Sequence, residues 1–550
     1  MALIDKASLL MVPSTYEAGK LYNVLPSGNR APDSTGENSG YDQTRADFDF
    51  DRGSNTAATR VNADGLIEKY RENRVLYSND FTNAAWIKFY TGVTDGQQDP
   101  FGGTNGTRLV STGIGGYIYQ NGVCIANTRM TASFWVKSNT GVNQDFVFTA
   151  NGGNQSSSAI TTTTSWQRVS FTFSSSSNGD ILFGYQTTQL IDLLIYGFQL
   201  EQGLVATDYL DSTSVTGKAG VLIDLPRIDY SSGAGALLLE PSRANVIQYS
   251  EYFGTWASVV QGTASAPTIT TNYDISPDGK QNATRIQFDL NGGTTLSDRA
   301  IIRQSLAAQS DYYFSVWMKS ATGSEQKILW HSTADDNETT ITSDWQRFEF
   351  NRNSSLVGWA GLSLRGSTSS VDTADILVWG FQVERGSYKT SYIPNHGESG
   401  GVTRAADSLF VESLADELTT GYTAATLYLE FKYKQNAVGD AFVWGQDNFT
   451  YPSGRGYLYN KQSGFADSFG GGGFIDMAED TTLKLIYRLN SLSNADVFLN
   501  GTKGTNVSGT AWSAINQIRF RGDYYTFEIS QIAMFSEALT DAECITLTTL

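Results

Sequence analysis

Two histidines and two cysteines in 550 residues leave little material for several common chemistries. His331 and His396 stand in unrelated contexts, so a Ser-His-Asp or Cys-His arrangement finds no support, and no HExxH run is present. Cys124 and Cys544 lie far apart and form no metal or redox spacing, which excludes a disulfide framework. No apolar run reaches the roughly 18 residues a membrane helix needs, and the N-terminal ASLLMVP stretch carries no signal-peptide pattern. The expectation is a chain made in a cytoplasm and not exported by the secretory route. Proline is scarce at 10 residues against 54 glycines, so turns must rely on Gly and Asn. Charged residues make up 17%, below the usual value of about 25%. Acids outnumber bases to give a formal charge of −18, which disfavours nucleic acid and anionic membranes as partners.

What fills the space is Ser, Thr, Asn, Gln and Gly between short apolar-alternating segments, and much of it is written twice. Arg71-Glu-Asn73, Tyr77-Ser78, Phe81 and Trp86 reappear as Arg243-Ala-Asn245, Tyr249-Ser250, Phe253 and Trp256. NGTRLV reappears as NATRIQ, SFWVKSNTG as SVWMKSATG, and Ser165-Trp-Gln-Arg168 as Asp344-Trp-Gln-Arg347. DLLIYGFQLEQG and DILVWGFQVERG close the series. Such self-similarity marks a duplicated module. Period-two alternation within each segment, with turn residues between, predicts antiparallel β-sandwiches.

The fold expectation is therefore all-β. Residues 1–72 read as a polar arm, 73–215 as a first jelly roll, 216–244 as a connector and 245–400 as a second jelly roll. Residues 401–550 read as a third sandwich, with TLYLEFKYK and TLKLIYRL as strands and Asn500-Gly501 as a hairpin turn. Thr540 with Glu543 forms a capping box before a short final helix.

With these residues aligned, the sequence resembles bacteriophage virion appendage proteins of the tail- or head-fibre type. The start LIDKASLLMVPSTYEAGKLYNVLP and TRVNADGLIE is similar to a virion-proximal segment. EPSRANVIQYSEYF and GFQVERGSYKTSYIP resemble the borders of carbohydrate-binding-module-like jelly rolls. VFLNG and ISQIAMFSEALTDAE resemble the laminin-G/concanavalin-A-like superfamily. The resemblance implies a virion location, a homo-oligomer (a trimer above all), attachment to other virion proteins through the arm, and host-surface glycan recognition. A purely structural fibre, collar or adaptor is the alternative, and a polysaccharide depolymerase the second. The C-terminal third lacks the Glu-x-Asp-x-x-Glu strand of glycosidases sharing its fold, so the expectation is a protein that is not an enzyme.

Sugar binding needs aromatic faces beside polar groups. The candidates are Trp330, Trp359, Trp444, Asp447, Tyr451, Arg455, Tyr457 and Tyr459, six of them in the stretch WGQDNFTYPSGRGYLY, which reads as a Gly/Pro loop. Trp135, Trp166, Trp317 and Trp345 recur at matched positions and read as core. Gln199, Glu201, Gln382 and Glu384 read as outward residues making a structural hydrogen bond to a neighbouring loop. Gly197 and Gly380 read as a bulge or close approach. No cofactor is expected, with Ca²⁺ as the one ion to consider. Asp47, Asp49 and Asp51 would share one face of a strand, and Asp335 and Asp336 belong to an acidic cluster read as an exposed turn. For the first group a solvated face, with Phe48 and Phe50 packed on the other side, is the favoured reading.

Overall fold

The computed structural model of the chain describes residues 7, 9–15, 49–53, 57–150, 155–156, 160–185, 189–222, 225–309, 311–332, 335–351, 357–411, 424–437, 440–445, 455–459, 462–466, 472–491, 493–508 and 517–550. They form two compact units, one from residues 1–68, 223–243 and 403–550, the other from 69–222 and 244–402. Apart from two 3-10 turns and the C-terminal helix Asp541–Thr548, the regular structure described is β.

The second unit holds both jelly rolls. In the first, one sheet runs in the order Gln167–Ser175, Thr128–Ser138, Asp192–Gln202, Gly106–Ser111, Thr91–Gln97. In the second, Gln346–Asn351, Tyr312–Ser320, Thr373–Arg385, Ala283–Asp289 and Thr268–Asp274 repeat that order. The duplicated motifs are the joints of this scaffold. Asn73 donates to the carbonyls of Phe198 and Leu210 at 2.9 and 2.8 Å, and Asn245 donates to those of Phe381 and Ile393 at 3.3 and 2.8 Å. Arg108 grips Asp192 through Nε and Nη2, as Arg285 grips Asp375. Each matched Tyr, Tyr77 and Tyr249, sits at φ 50° and accepts the indole N–H of Trp86 or Trp256 on its carbonyl.

Period-two alternation decides what each core contains. Phe134, Phe148, Phe183 and Phe198 fill the first, and Phe314, Phe350, Phe381 and Trp330 the second. Each ring removed from water contributes about 1.5–3 kcal/mol. The two jelly rolls bond to each other: the Arg129 amide donates to His396 O at 2.9 Å and Gln202 to Glu398 at 3.0 Å, while the Arg129 guanidinium lies over the Tyr252 ring.

The first unit is a sandwich of two sheets over a core that includes Leu427, Leu429, Trp444, Leu485, Phe520 and Ile529. Its main sheet is not confined to 401–550. Leu9–Met11 and Ala236–Leu239 both pair with Tyr525–Phe535, and Asp49–Asp51 pairs with Ser408–Val411 in the other sheet. Strands from the expected arm and the expected connector are thus hydrogen-bonded into the C-terminal sandwich. A buried charge network ties the same segments: Arg227 donates to Glu240 at 2.7 Å and to Asp407, Arg404 lies 2.9 Å from Glu240, and Arg52 reaches Asp407 at 3.4 Å. Burial, reinforced by the neighbouring arginines and opposed by Asp407, lowers the Arg52 pKa to about 10. Asn500 and Gly501, at φ 45° and 78°, turn the expected hairpin between Leu499 and Thr502. The Thr540–Glu543 capping box starts the helix as expected.

Candidate functional site

The sugar-binding candidates do not come together. Trp330 is 2% exposed, stacked on Phe350 with its indole N–H on Thr339 Oγ1 at 2.9 Å, and Trp444 is buried beside Tyr487. Both are core residues; in QKILWH alternation turns Trp330 inward with Ile328. Trp359 is half-buried under the Arg303 guanidinium at 3.6 Å. Arg455, Tyr457 and Tyr459 belong to the strand Arg455–Tyr459, not to a loop, and Asp447 and Tyr451 lie outside the described residues. Of the acidic groups, Asp49 and Asp51 lie in a strand with Asp51 exposed and Phe50 packed on the core, while Asp47 is outside the described residues. Asp335 and Asp336 open the strand Asp335–Ile341, where a turn was expected. Among the described residues no group of three or more His, Cys, Asp or Glu is placed to hold a metal.

The tryptophans read as core are instead on the outer face. Trp135 and Trp317 are half-buried, as are Trp166 and Trp345, and each carries a cation over its ring: Arg168, Arg347, Lys137 and Lys319 respectively. Around Trp135 and Trp317 the structure builds the same site twice.

A β-bulge creates it. Gly197 and Gly380, at φ +63° and +64°, shift the register opposite Ser133–Trp135 and Ser315–Trp317. A Cβ at either glycine would press on the indole, at 3.2 Å from Trp135 and 3.0 Å from Trp317. Bulge and close approach are both present. Beyond the bulge the strand's outward Gln and Glu hold the following loop. Glu201 accepts from Thr207 N and Oγ1 at 2.9 and 2.6 Å, and Gln199 accepts from Leu210 N at 2.7 Å. Glu384 and Gln382 treat Thr390 and Ile393 in the same way. These four residues are buried under the loop, and their role is the structural one read from their repetition.

The loop brings a tyrosine over the tryptophan. In the first jelly roll Tyr209 meets Trp135 and Tyr196 edge-on or tilted at 5.9 and 5.8 Å, its hydroxyl 2.6 Å from Ser78 Oγ and donating to Asp211 at 2.9 Å. Phe101, at the tip of a turn, completes the cluster at 5.5 Å from Trp135 and 5.7 Å from Tyr196, and is 71% exposed. Asp99 organises that turn by accepting the amides of Phe101, Gly103 and Asn105. Against the upward pull of burial, these donors keep its carboxyl below the usual range. Burial first, then the Asp99 and Asp211 charges, raises the Tyr196 phenol. The result is an open wall of four rings with the exposed carboxylate of Asp211 at its edge.

In the second jelly roll the equivalent site is closed. Trp379 stands for Tyr196 and Tyr392 for Tyr209, packed at 4.8 Å and both buried. Glu251 replaces Asn79 and Asp278 replaces Phe101. Their carboxylates take the Lys69 ammonium at 2.9 and 2.7 Å, 5.2 Å from the Trp379 ring. Burial opposes charge on Lys69, but the two carboxylates outweigh it and raise its pKa. Phe101, Tyr196 and Tyr209 were missed. Phe101 and Tyr196 differ between the copies, standing as Asp278 and Trp379 in the second, and that difference was itself the signal; Tyr209 is the same residue in both and reaches the site through its loop.

No protein-family model matches the sequence. No curated protein matches it either. Among solved structures, the tandem CBM22-1–CBM22-2 domain of Paenibacillus barcinonensis Xyn10C is 13% identical over 61% of this chain and 99% of that one, with a TM-score of 0.23. The CBM40 of Ruminococcus gnavus IT-sialidase, bound to α2,3-sialyllactose, is 14% identical over 26% and 92%, with a TM-score of 0.20. Trypanosoma rangeli sialidase is 9% identical over 91% and 98%, again with a TM-score of 0.20.

Proposed function

We propose that this chain is a saccharide-binding component of a bacteriophage virion appendage, acting by recognition and not by catalysis. The observation that carries the binding reading is the open cluster of Phe101, Trp135, Tyr196 and Tyr209. Sugar rings present C–H faces that stack on aromatic rings, while hydroxyls need nearby acceptors and donors. The cluster supplies both, with Asp211 exposed at its rim. Phe101, 71% exposed, is contiguous with Trp135 and Tyr196, and a contiguous apolar patch of this kind is what marks an interaction site. The virion assignment rests on the sequence resemblance of the N-terminal segment and the jelly-roll borders. On this reading the chain works as a homo-oligomer, a trimer above all, held on the particle by its N-terminal segment.

Titration of the purified chain with host-surface polysaccharide, followed by tryptophan fluorescence, tests the binding. Quenching that saturates, and that Phe101→Ala removes, supports it; an unresponsive wild-type protein overturns it. Immunogold labelling of particles tests the location, and unlabelled virions would exclude it.

A further inference from the structure

The two copies of the outer-face site share Trp135/Trp317, Arg168/Arg347, Tyr209/Tyr392 and Ser78/Ser250, so a ligand seated in one informs the other. In the second, the occupant is a side chain of the protein itself. Lys69 enters the second site with a primary ammonium group, held by charge-assisted bonds to Glu251 and Asp278 and lying over Trp379. Glu251 and Asp278 are both buried, and two such carboxylates facing each other without a cation would be strongly disfavoured. The second site is therefore complete only with an ammonium ion in it.

In the first jelly roll the rings remain but the flanking acids have moved. Asn79 and Phe101 stand where Glu251 and Asp278 stand. The carboxylate is now Asp211, whose Oδ1 takes the Tyr209 hydroxyl at 2.9 Å and the Ser78 hydroxyl at 3.2 Å. Asp99 adds a second negative charge beneath the cluster, its oxygens occupied by the backbone amides of its own turn. The guanidinium of Arg168 lies over the Trp135 ring at 4.6 Å, with its N–H groups bonded to Ser133 Oγ at 3.0 Å and Thr207 O at 2.6 Å, as Arg347 lies over Trp317 in the second site that also holds Lys69.

We propose that this shared ring scaffold takes a primary ammonium group in both jelly rolls, from Lys69 between Glu251 and Asp278 in the second and, in the first, from a saccharide whose free amine meets Asp211. The proposal rests on the saccharide-binding reading and names its ligand class: amino sugars, with the sugar face on the rings and the ammonium at Asp211. Uronic and sialic acids are disfavoured by the same carboxylates.

Calorimetric titration of the full chain at mildly acidic pH, with tetraglucosamine, tetra-N-acetylglucosamine and tetragalacturonate as probes, tests it. The expected order is tetraglucosamine tighter than its acetylated form by about tenfold, with galacturonate weakest. Asp211→Asn should abolish that difference. Asn79→Glu, which places a carboxylate where the second site has Glu251 and leaves the four rings in place, should widen it. Equal affinity for the amine and its acetamide, or a preference for galacturonate, overturns the ammonium assignment while leaving saccharide binding in place. Failure of all three probes to bind overturns the assignment; if host polysaccharide also fails, the binding reading falls with it.

Discussion

Phe101 and Asp278 occupy the same place in the same turn of two matched modules, one in DPFGGTNGTR and the other in SPDGKQNATR. Phe101 is exposed and leans on Trp135; Asp278 is buried and holds Lys69. With Asn79 in place of Glu251 and Tyr196 in place of Trp379, that exchange separates a presented surface from a sealed one, on scaffolds whose strand orders are the same. The jelly-roll pair is thereby asymmetric at this face.

Lys69→Met keeps most of the side-chain volume and removes the charge. Glu251 and Asp278 are left buried without their cation, a situation that costs about 3–5 kcal/mol. Thermal unfolding should show a marked drop in Tm for the jelly-roll unit, partly restored in Lys69→Met/Asp278→Asn. An unchanged Tm for the single variant would remove Lys69 from its assigned role.

Gly197→Ala and Gly380→Ala each force an L side chain into the left-handed region and against an indole. Each should cost about 1–3 kcal/mol, with Gly380 the worse because its Cβ would lie 3.0 Å from Trp317 against 3.2 Å at Trp135. Denaturant midpoints of the two variants give the ranking directly.

In the C-terminal sandwich, burial would raise the Asp496 carboxyl, but Asn490, Asn506 and Arg488 together hold it down to about 2. A folded-state pKa below the unfolded value stabilises above the unfolded pKa and is lost on acidification. Stability of this unit should therefore fall as pH drops from about 4 toward 2. Asp496→Asn should be less stable at neutral pH and flatter across that window. Unfolding midpoints that fall equally in both proteins across that window would contradict the assignment.

Asp407→Asn strips the acid shared by Arg52 and Arg227 at the centre of the first unit. Breaking such a pair costs about 3–5 kcal/mol because the arginines stay buried. Hydrogen exchange should show loosened protection in the strand Ser408–Val411 and its neighbours; protection equal to wild type would contradict the network's importance.

The duplicated modules were legible because their strands alternate and their joints, Asn73/Asn245 and Arg108/Arg285, are local in the pattern. The tryptophans were misread where repetition was weighed above alternation. In SFWVK, Phe134 and Val136 face the core, so Trp135 between them must face out. In QKILWH the same rule sends Trp330 inward with Ile328. The strand Asp49–Asp51 was legible from its alternation, with Phe50 on the core, but its partner was not, and Leu9–Met11 is too short to carry a period; both pair with residues hundreds of positions away. Tyr209 reaches the site only through the loop that Gln199 and Glu201 hold, a tertiary relationship that spacing alone does not reveal.

The measurement closest to the central claim compares wild type with Phe101→Ala in a fluorescence titration against host polysaccharide, alongside thermal unfolding. Phe101 is exposed, so its removal should leave stability within about 0.5 kcal/mol while reducing affinity at least tenfold. Undiminished affinity in a folded Phe101→Ala protein would show that the aromatic wall of the first jelly roll is not where the saccharide binds.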